Sequence, residues 1–173
     1  MQIVQLTQGT PEWHVHRRNH LNASDAPAML NESPYKTRAQ LLKEYALGIT
    51  EEIDAATQKR FDQGHEFEPL ARQKLEAELQ EDLYPCVAVD GKLSASFDGI
   101  TMMEDLIFEH KTINDSIRAC ESAETLPLHY RIQMEQQLMI SGAQVCLFVG
   151  SKWENEQCTE WKQFEYKSDT QLR

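Results

Sequence analysis

The stretch Ser94-Ala-Ser-Phe-Asp-Gly-Ile-Thr-Met-Met-Glu-Asp-Leu-Ile-Phe-Glu-His-Lys-Thr112 contains two short apolar runs separated by a polar turn. The pattern predicts two strands, the first ending at Asp98 and the second carrying Glu109 and Lys111. Successive side chains of a strand point to opposite faces, so Glu109 and Lys111 are expected on one face and His110 on the other. A carboxylate and an ammonium group would then lie side by side.

Asp98 brings a second carboxylate to the same point if its strand pairs with the strand of Glu109. Two carboxylates are hard oxygen ligands of the kind that Mg²⁺ and Mn²⁺ prefer. A simpler explanation also fits, because Asp-Gly is common at hairpin turns and because Glu and Lys keep an exposed strand soluble. This stretch alone favours the simpler explanation, and the rest of the chain must decide.

The composition is that of one globular domain. The chain has 173 residues, of which 40% are hydrophobic and 26% are charged. No apolar run approaches the roughly 20 residues of a membrane span. The N-terminus has neither the basic segment nor the apolar core of a secretory signal. We therefore expect a cytoplasmic protein with no membrane partner.

The cysteines do not form a metal-binding pattern. None of them belongs to a Cys-x-x-Cys pair, so the sequence suggests neither a zinc site nor an iron–sulfur cluster. In a reducing cytoplasm we expect four free thiols, at Cys86, Cys120, Cys146 and Cys158.

The net charge of −11 argues against a nucleic-acid partner, because a duplex-binding protein normally carries a basic surface. The charge is unevenly distributed, however. Residues 1–48 contain five basic and four acidic side chains, a balance of +1, whereas the remainder contains 12 basic and 24 acidic side chains, a balance of −12. An anion-binding surface is therefore expected in residues 1–48, and acidic metal ligands in the remainder.

The N-terminal part is predicted to be helical. Thr10 fits an N-cap before Pro11 at the first helical position, and Arg17 follows Trp13 by one turn on the same face. Ser24 or Asp25 fits the cap of a second short helix. A helix N-terminus with a hydroxyl beside it suits a phosphate, although a simple capping role fits Ser24 equally well.

The remaining pattern alternates helices and strands. Helices are predicted over residues 37–47, closed by Gly48, over residues 57–79, kinked or restarted at Pro69, and over residues 128–140. Strands are predicted over residues 83–89, 92–98, 106–111, 145–149 and 159–166. This order predicts an α/β fold with a mixed sheet.

With this order established, the chain resembles the lambda-type alkaline exonucleases, the YqaJ-like viral recombinases of the PD-(D/E)xK nuclease superfamily. The resemblance covers nearly the whole chain and combines seven motifs that are weak singly: Thr10-Pro-Glu-Trp13-x-x-x-Arg17, Asn22-Ala-Ser24-Asp25, Ser33-Pro-Tyr35, Glu68-Pro-x-Ala-Arg72, Ser96-Phe-Asp98-Gly99, Glu109-His-Lys111 and Tyr130-x-x-Gln133-x-x-Gln136-Gln137-Leu138. It implies a restriction-endonuclease-like core, with a mixed central sheet flanked by helices. It also implies one nuclease domain over residues 1–173, with a helical DNA-binding part at 1–48 and a catalytic core at 57–166.

The resemblance implies a metal site built mainly from acids. Asp98 and Glu109 match the family's metal-binding acids, and the backbone carbonyl of His110 matches a further ligand. Glu68 matches a helical acid that completes the site. His65 lies one turn before Glu68, and we expect it to be structural because Glu68 fits the ligand position better.

The resemblance also implies roles for side chains that do not bind metal. Lys111 matches the catalytic lysine of the E-x-K strand, and Gln133 matches a helical glutamine beside it. Arg17 and Ser24 match positions that hold the phosphate at the 5′ end of the strand being degraded. This assignment agrees with the charge balance of residues 1–48.

The function implied is that of a metal-dependent exonuclease on linear double-stranded DNA, acting 5′ to 3′ and leaving 3′ single-stranded overhangs for phage-type recombination. Mg²⁺ is the implied cofactor, with Mn²⁺ able to substitute. The implied partners are duplex ends and a single-strand annealing protein, in the cytoplasm of a bacterium whose phage or prophage encodes the protein. Two alternatives stay open, an inactive DNA-binding or recombination scaffold and an endonuclease of the same superfamily.

Close relatives form a ring-shaped trimer and commonly continue into further helix after the last strand. This chain stops at Arg173, soon after its last predicted strand. The sequence therefore leaves open both the trimer and whether the chain is complete.

Overall fold

The fold was taken from a computed structural model, which describes residues 1–48 and 55–173, apart from the side chains of residues 55–62. Its strands are β1 (Gln2–Val4), β2 (Leu21–Asn22), β3 (Cys86–Asp90), β4 (Leu93–Phe97), β5 (Gly99–Ile100), β6 (Leu106–Thr112), β7 (Val145–Glu154) and β8 (Gln157–Lys167). They form two four-stranded sheets, in the orders β1-β3-β4-β2 and β5-β6-β7-β8. Each sheet mixes parallel and antiparallel pairs. The predicted α/β class is confirmed, with the strands divided between two sheets.

The helices are α1 (Pro11–Arg18), α2 (Ala26–Met29), α3 (Arg38–Leu47), α4 (Ala55–Leu79), α5 (Asp115–Arg118) and α6 (Leu128–Ser141). The predicted end of α3 at Gly48 is confirmed, with a left-handed φ of 65°. Thr37 and Gln40 form a capping box at the start of α3, and Gly142 ends α6 with a left-handed φ of 74°. Helix α4 continues through Pro69, so this residue does not begin a new helix.

One predicted cap is wrong. Residues 23–25 form a 3₁₀ turn before α2, and neither Ser24 nor Asp25 makes a capping hydrogen bond to the backbone. Both side chains instead accept hydrogen bonds from Arg17. Arg17, seven residues before Ser24 and eight before Asp25, binds the oxygens that a cap would use.

Strand β6 is covered on both faces. Ile107 belongs to the larger core, with Met134 of α6, and Phe108 belongs to a smaller core, with Ala71 of α4. Alternation along the strand assigns neighbouring residues to different cores. The two helices therefore approach the acidic end of β6 from opposite sides.

The chain changes sheets at Asp98, which lies between β4 and β5. Strand β4 pairs with β3 and β2, whereas β5 pairs with β6. The pairing considered between the strand ending at Asp98 and the strand of Glu109 does not form, because β6 pairs with the two-residue β5 on one side and with β7 on the other. Gly99 allows this crossing, since a Cβ atom there would lie 2.8 Å from the Cβ of Leu83.

Two further expectations can be compared with the structure. All four cysteines are free thiols, as the absence of a Cys-x-x-Cys pair predicted. Within residues 1–48 and 55–173, no helix combines the length and the apolar character needed to cross a membrane.

Candidate active site

Glu109 and Lys111 form an ion pair on one face of β6, as the alternation of the strand predicts. The Lys111 ammonium donates a hydrogen bond to Oε1 of Glu109. The ring of His110 points the other way, where its Nε2 lies 2.8 Å from Oγ of Ser151. Burial and, to a smaller extent, the positive charge of Lys111 lower the pKa of His110 to about 3, so the ring is neutral.

The Glu109 carboxylate is almost completely enclosed, with 2% of the residue exposed. Gln133 donates to its Oε1 at 2.6 Å and Gln137 donates to its Oε2 at 2.6 Å. Both glutamines come from α6, four residues apart and hence on one face of the helix. The buried charge is stabilised by donors from two different elements, as a charge in an apolar interior requires.

Asp98 is attached to β6 through the backbone. The N–H of His110 donates to Oδ2 of Asp98 at 2.8 Å. Strand β5 pairs with β6 only as far as Phe108, so the carboxylate of Asp98 takes the place of a strand partner at the next position. The carboxylate of Asp98 is therefore held next to Glu109 even though the strand before Asp98 does not pair with β6.

Arg72 connects the third acid to this junction. Its Nη1 donates to Oε1 of Glu68 at 3.1 Å and to the carbonyl oxygen of Asp98 at 2.9 Å. Arg72 and Glu68 are four residues apart on α4 and form an ion pair. A single guanidinium group thus fixes α4 to the point where the chain changes sheets.

The electrostatics of the site show an excess of negative charge. Burial raises the pKa of Asp98 well above its usual range, and the carboxylates of Glu109 and Glu68 raise it further. Burial also raises the pKa of Glu68, with a contribution from Glu109. Burial would lower the pKa of Lys111, but Glu109 and Asp98 outweigh that effect and raise it, so the lysine stays charged.

This donor set fits a hydrated Mg²⁺ ion better than a closed metal cage. In the part of the chain that the structure describes, no group of three or more His, Cys, Asp and Glu side chains forms a ready metal cage. Mg²⁺ is usually held by one or two carboxylates and keeps several of its waters. Asp98 and Glu109 supply hard oxygens, and the raised pKa of Asp98 marks a charge that a cation would neutralise.

Arg17 and Ser24, predicted to bind a phosphate, lie in contact. Nη2 of Arg17 donates to Oγ of Ser24 at 3.1 Å and to Oδ2 of Asp25 at 3.0 Å. The guanidinium carbon lies 4.9 Å from the ring centroid of Trp13. Asp25 was expected only as a cap, and its carboxylate instead occupies one side of the guanidinium group.

Side-chain contacts fasten this N-terminal cluster to β4. Nε1 of Trp13 donates to Oγ of Ser96 at 3.0 Å, and Nε2 of His16 lies 3.0 Å from Oγ of Ser94. Ser96 is two residues before Asp98. The Arg17 cluster therefore lies beside the strand that leads directly into the acidic site.

The structure brings together Glu68, Asp98, Glu109, Lys111 and Gln133, and it adds two residues to which the sequence analysis gave no role. Arg72 and Gln137 both belong to quoted motifs. Arg72 follows Glu68 by four residues, and Gln137 follows Gln133 by four. This spacing places both members of each pair on one helix face, so it could have indicated that Arg72 and Gln137 belong to the site. His65 is exposed on α4.

Comparisons with known proteins identify the family of the chain. The family model described as the YqaJ-like viral recombinase domain matches residues 12–144. The chain belongs to this family. A search of the curated proteins finds no match. The family assignment and the fold support a nuclease that acts on DNA.

Solved structures show the same fold for the YqaJ-like chain. An alkaline exonuclease (LHK-Exo) from Laribacter hongkongensis is 23% identical, with a TM-score of 0.69 over 94% of this chain and 84% of that one. The structure of the same enzyme in complex with dAMP is also 23% identical, with a TM-score of 0.70 over 94% of this chain and 85% of that one. A phage-related exonuclease from Haemophilus somnus 129PT is 13% identical, with a TM-score of 0.65 over 91% of this chain and 89% of that one. The PD-(D/E)xK-like core is thereby confirmed.

Replacing Asp98 by Asn is expected to stabilise the metal-free YqaJ-like chain at neutral and alkaline pH. Because the pKa of Asp98 is raised, the folded state binds the proton of this carboxyl group more tightly than the unfolded state does. The contribution of Asp98 to the unfolding free energy therefore falls as pH rises above about 4. Asp98→Asn keeps an oxygen for the N–H of His110 and removes the charge. Thermal unfolding with a chelator at pH 8 should show a rise of roughly 2–4 °C for each kcal/mol gained.

The difference between Asp98→Asn and the wild type should shrink as pH falls and close below about pH 4, where the carboxyl group is protonated in both the folded and the unfolded state. Asp90→Asn, at the exposed end of β3, is the matched control and should leave the midpoint unchanged. A midpoint for Asp98→Asn at or below the wild-type value at pH 8 would contradict the electrostatic assignment.

Replacing Arg72 by Gln is expected to lower the unfolding free energy by about 2 kcal/mol, because hydrogen bonds to charged groups contribute about 1.5–3 kcal/mol. The change removes the link between Glu68 and the carbonyl oxygen of Asp98. Urea unfolding measures it. Lys74→Gln, which removes an exposed ion pair on the same helix, should cost well under half as much. Equal losses of unfolding free energy in the two variants would show that the ion pair of Arg72 with Glu68 contributes no more than an ordinary surface pair.

Proposed function

We propose that this chain is a metal-dependent exonuclease that degrades one strand of linear double-stranded DNA from its 5′ end and leaves 3′ single-stranded overhangs. The observation that carries the proposal is the convergence of Asp98, Glu109 and Lys111 at the end of β6. An inactive scaffold of the same fold has no need to keep three charged groups together, one of them buried and two half-buried. Membership in the YqaJ-like family supports the same conclusion.

Asp98 and Glu109 would hold the metal, with Glu68 and the carbonyl oxygen of His110 completing the set. When bound, Mg²⁺ supplies charge neutralisation at the phosphate and a bound water of lowered pKa. Mn²⁺ offers the same oxygen preference. The raised pKa values of Asp98 and Glu68 support this placement, because a cation offsets the mutual repulsion that contributes to them.

Lys111 is suited to charge stabilisation and not to proton abstraction. Its pKa is raised by Glu109 and Asp98, so at physiological pH it carries a proton and can donate to a phosphate oxygen as negative charge develops there. Gln133 donates to the same Glu109 oxygen as Lys111, and Gln137 donates to the other oxygen. This orientation keeps Glu109 directed along β6 while Lys111 exchanges its partner for the substrate.

The hydrolysis proposed here forms a bond between a water oxygen and phosphorus and breaks the bond between phosphorus and the 3′ oxygen, which takes up a proton. The departing nucleotide keeps its 5′ phosphate, and the next residue of the strand gains a new one. A pocket at Arg17 and Ser24 would then be refilled after each cycle. The relative solved with dAMP binds a mononucleotide of this kind.

Further parts of the proposal concern partners and surroundings. A single-strand annealing protein would receive the 3′ overhang, a trimeric ring would enclose the duplex, and the protein would act in the cytoplasm of a bacterium that carries the phage or prophage. Residues 1–48, with their balance of +1, offer a less repulsive approach for DNA than the strongly acidic remainder. An endonuclease would instead cut covalently closed circular duplex, which an exonuclease spares.

Lys111→Ala is expected to reduce cleavage of linear duplex at least about 10³-fold, on the scale of losing one preorganised charge at a phosphoryl-transfer site. The assay compares linear and closed circular duplex, with Mg²⁺ or with a chelator, and maps the products by polarity. Lys74→Gln, an exposed lysine on α4, is the control and should keep wild-type activity. Wild-type cleavage by Lys111→Ala would remove this site from the proposal.

Arg17→Ala is expected to abolish a preference for 5′-phosphorylated over 5′-hydroxyl duplex ends. The guanidinium group can exchange its contact with Ser24 for a terminal phosphate, and such a charge-assisted pair is worth about 1.5–3 kcal/mol, or roughly 10-fold to 150-fold in KM. Steady-state kinetics on both substrates measures the ratio. Arg18→Ala, on the exposed side of α1, should keep it. Equal rates of the wild type on the two ends would eliminate the phosphate pocket.

A further inference from the structure

Tyr35 presents a large aromatic ring to solvent, with 67% of the residue exposed. Its backbone is nevertheless held firmly. Oγ of Ser33 accepts hydrogen bonds from the N–H groups of Tyr35 at 3.2 Å and Lys36 at 3.3 Å, and the capping box at Thr37 follows directly. The ring is therefore carried on a fixed turn between α2 and α3.

The Tyr35 ring is the outer member of a row of three rings. The Tyr35 ring meets the His129 ring edge-on, with the ring centroids 6.0 Å apart and the planes at 89°. The centroids of the His129 and Tyr130 rings are 4.1 Å apart. Tyr130 packs on Phe148 at 5.2 Å, and its hydroxyl accepts a hydrogen bond from Asn114 at 3.1 Å. The row is anchored in the core at one end and exposed at the other.

The row borders the acidic site. His129 lies four residues before Gln133 on α6, so the two side chains share one face of the helix, and Gln133 donates to Glu109. Burial lowers the pKa of His129, and the positive charge of Lys111 lowers it further, which is consistent with the same arrangement. The exposed Tyr35 ring is thus about two side chains away from the residues proposed to cut DNA.

We propose that Tyr35, backed by His129, is a stacking platform for a nucleobase of the DNA strand held at the acidic site. A phosphodiester that reaches Lys111 brings its neighbouring bases to the adjacent surface, and every base offers a flat π face to an exposed aromatic ring. Stacking does not depend on base identity, so it suits an enzyme that must accept any sequence. This inference rests on the proposed nuclease function.

The proposal predicts different values of KM for linear duplex in three variants. Tyr35→Ala removes the ring and should raise KM for linear duplex about 10-fold, in line with alanine substitutions of stacked aromatic residues, with a smaller effect on kcat. Tyr35→Phe keeps the ring and should stay within about twofold of the wild type, because stacking needs no hydroxyl. Tyr84→Ala is the matched control, an exposed tyrosine that precedes β3, and should have no effect.

Abasic substrates separate stacking from a structural role. Duplexes that carry one abasic nucleotide at successive positions from the 5′ end should include one position at which the wild type and Tyr35→Ala have the same KM. A Tyr35→Ala defect that persists at every abasic position would overturn the platform. So would a loss in Tyr35→Phe as large as that in Tyr35→Ala, since the hydroxyl would then be the functional group.

A binding measurement distinguishes failure of the platform from failure of the proposed function. In an Asp98→Asn background, 2-aminopurine placed at the same successive positions should be quenched on binding at one of them, and adding Tyr35→Ala should abolish the quenching. This readout requires no cleavage, so a wild-type chain without nuclease activity would contradict the proposed function alone. Quenching that is unchanged by Tyr35→Ala would eliminate the platform in either case.

Discussion

The buried carboxylate of Glu109 is the interaction on which the rest of the site depends. Its two oxygens receive donors from Lys111 on the same strand and from Gln133 and Gln137 on α6. A charge with 2% exposure persists in a core of this kind only when its oxygens are occupied. The demand for donors therefore explains why a glutamine-rich face of α6, and not an apolar one, covers the end of β6.

A second requirement is set by the excess of acid around Glu109. Asp98 and Glu68 carry raised pKa values because burial and mutual repulsion disfavour their ionised forms. Arg72 and Lys111 offset part of that repulsion by direct contact with Glu68 and Glu109. A bound cation would offset the remaining negative charge, so the stability of the fold and the proposed metal binding depend on the same few charges.

Local patterns predicted the local structure well. The closure of α3 at Gly48 and the position of Glu109 and Lys111 on one face of β6 both depend on residues within four positions of one another, where steric rules decide. The family resemblance, carried by separated motifs, predicted the family and the core fold. The roles of the site residues stay predictions.

The sequence did not reveal contacts that depend on distant pairing. The antiparallel partner of β6 is the two-residue β5, which is too short to leave a periodic signal. The contact of Arg72 with the carbonyl oxygen of Asp98 spans 26 positions along the chain and involves a backbone atom. Asp25 looked like a cap because local spacing cannot show that Arg17 folds back onto it.

Asp98 is the single residue between two sheets, and this position has a mechanical consequence. Its backbone follows β4 and the first sheet, whereas its carboxylate is tied to the N–H of His110 in the second sheet. A change in the angle between the two sheets would therefore strain the hydrogen bond between Asp98 and His110. The packing between the sheets thus helps to hold the Asp98 carboxylate at the strand of Glu109, although none of the atoms that do so is charged.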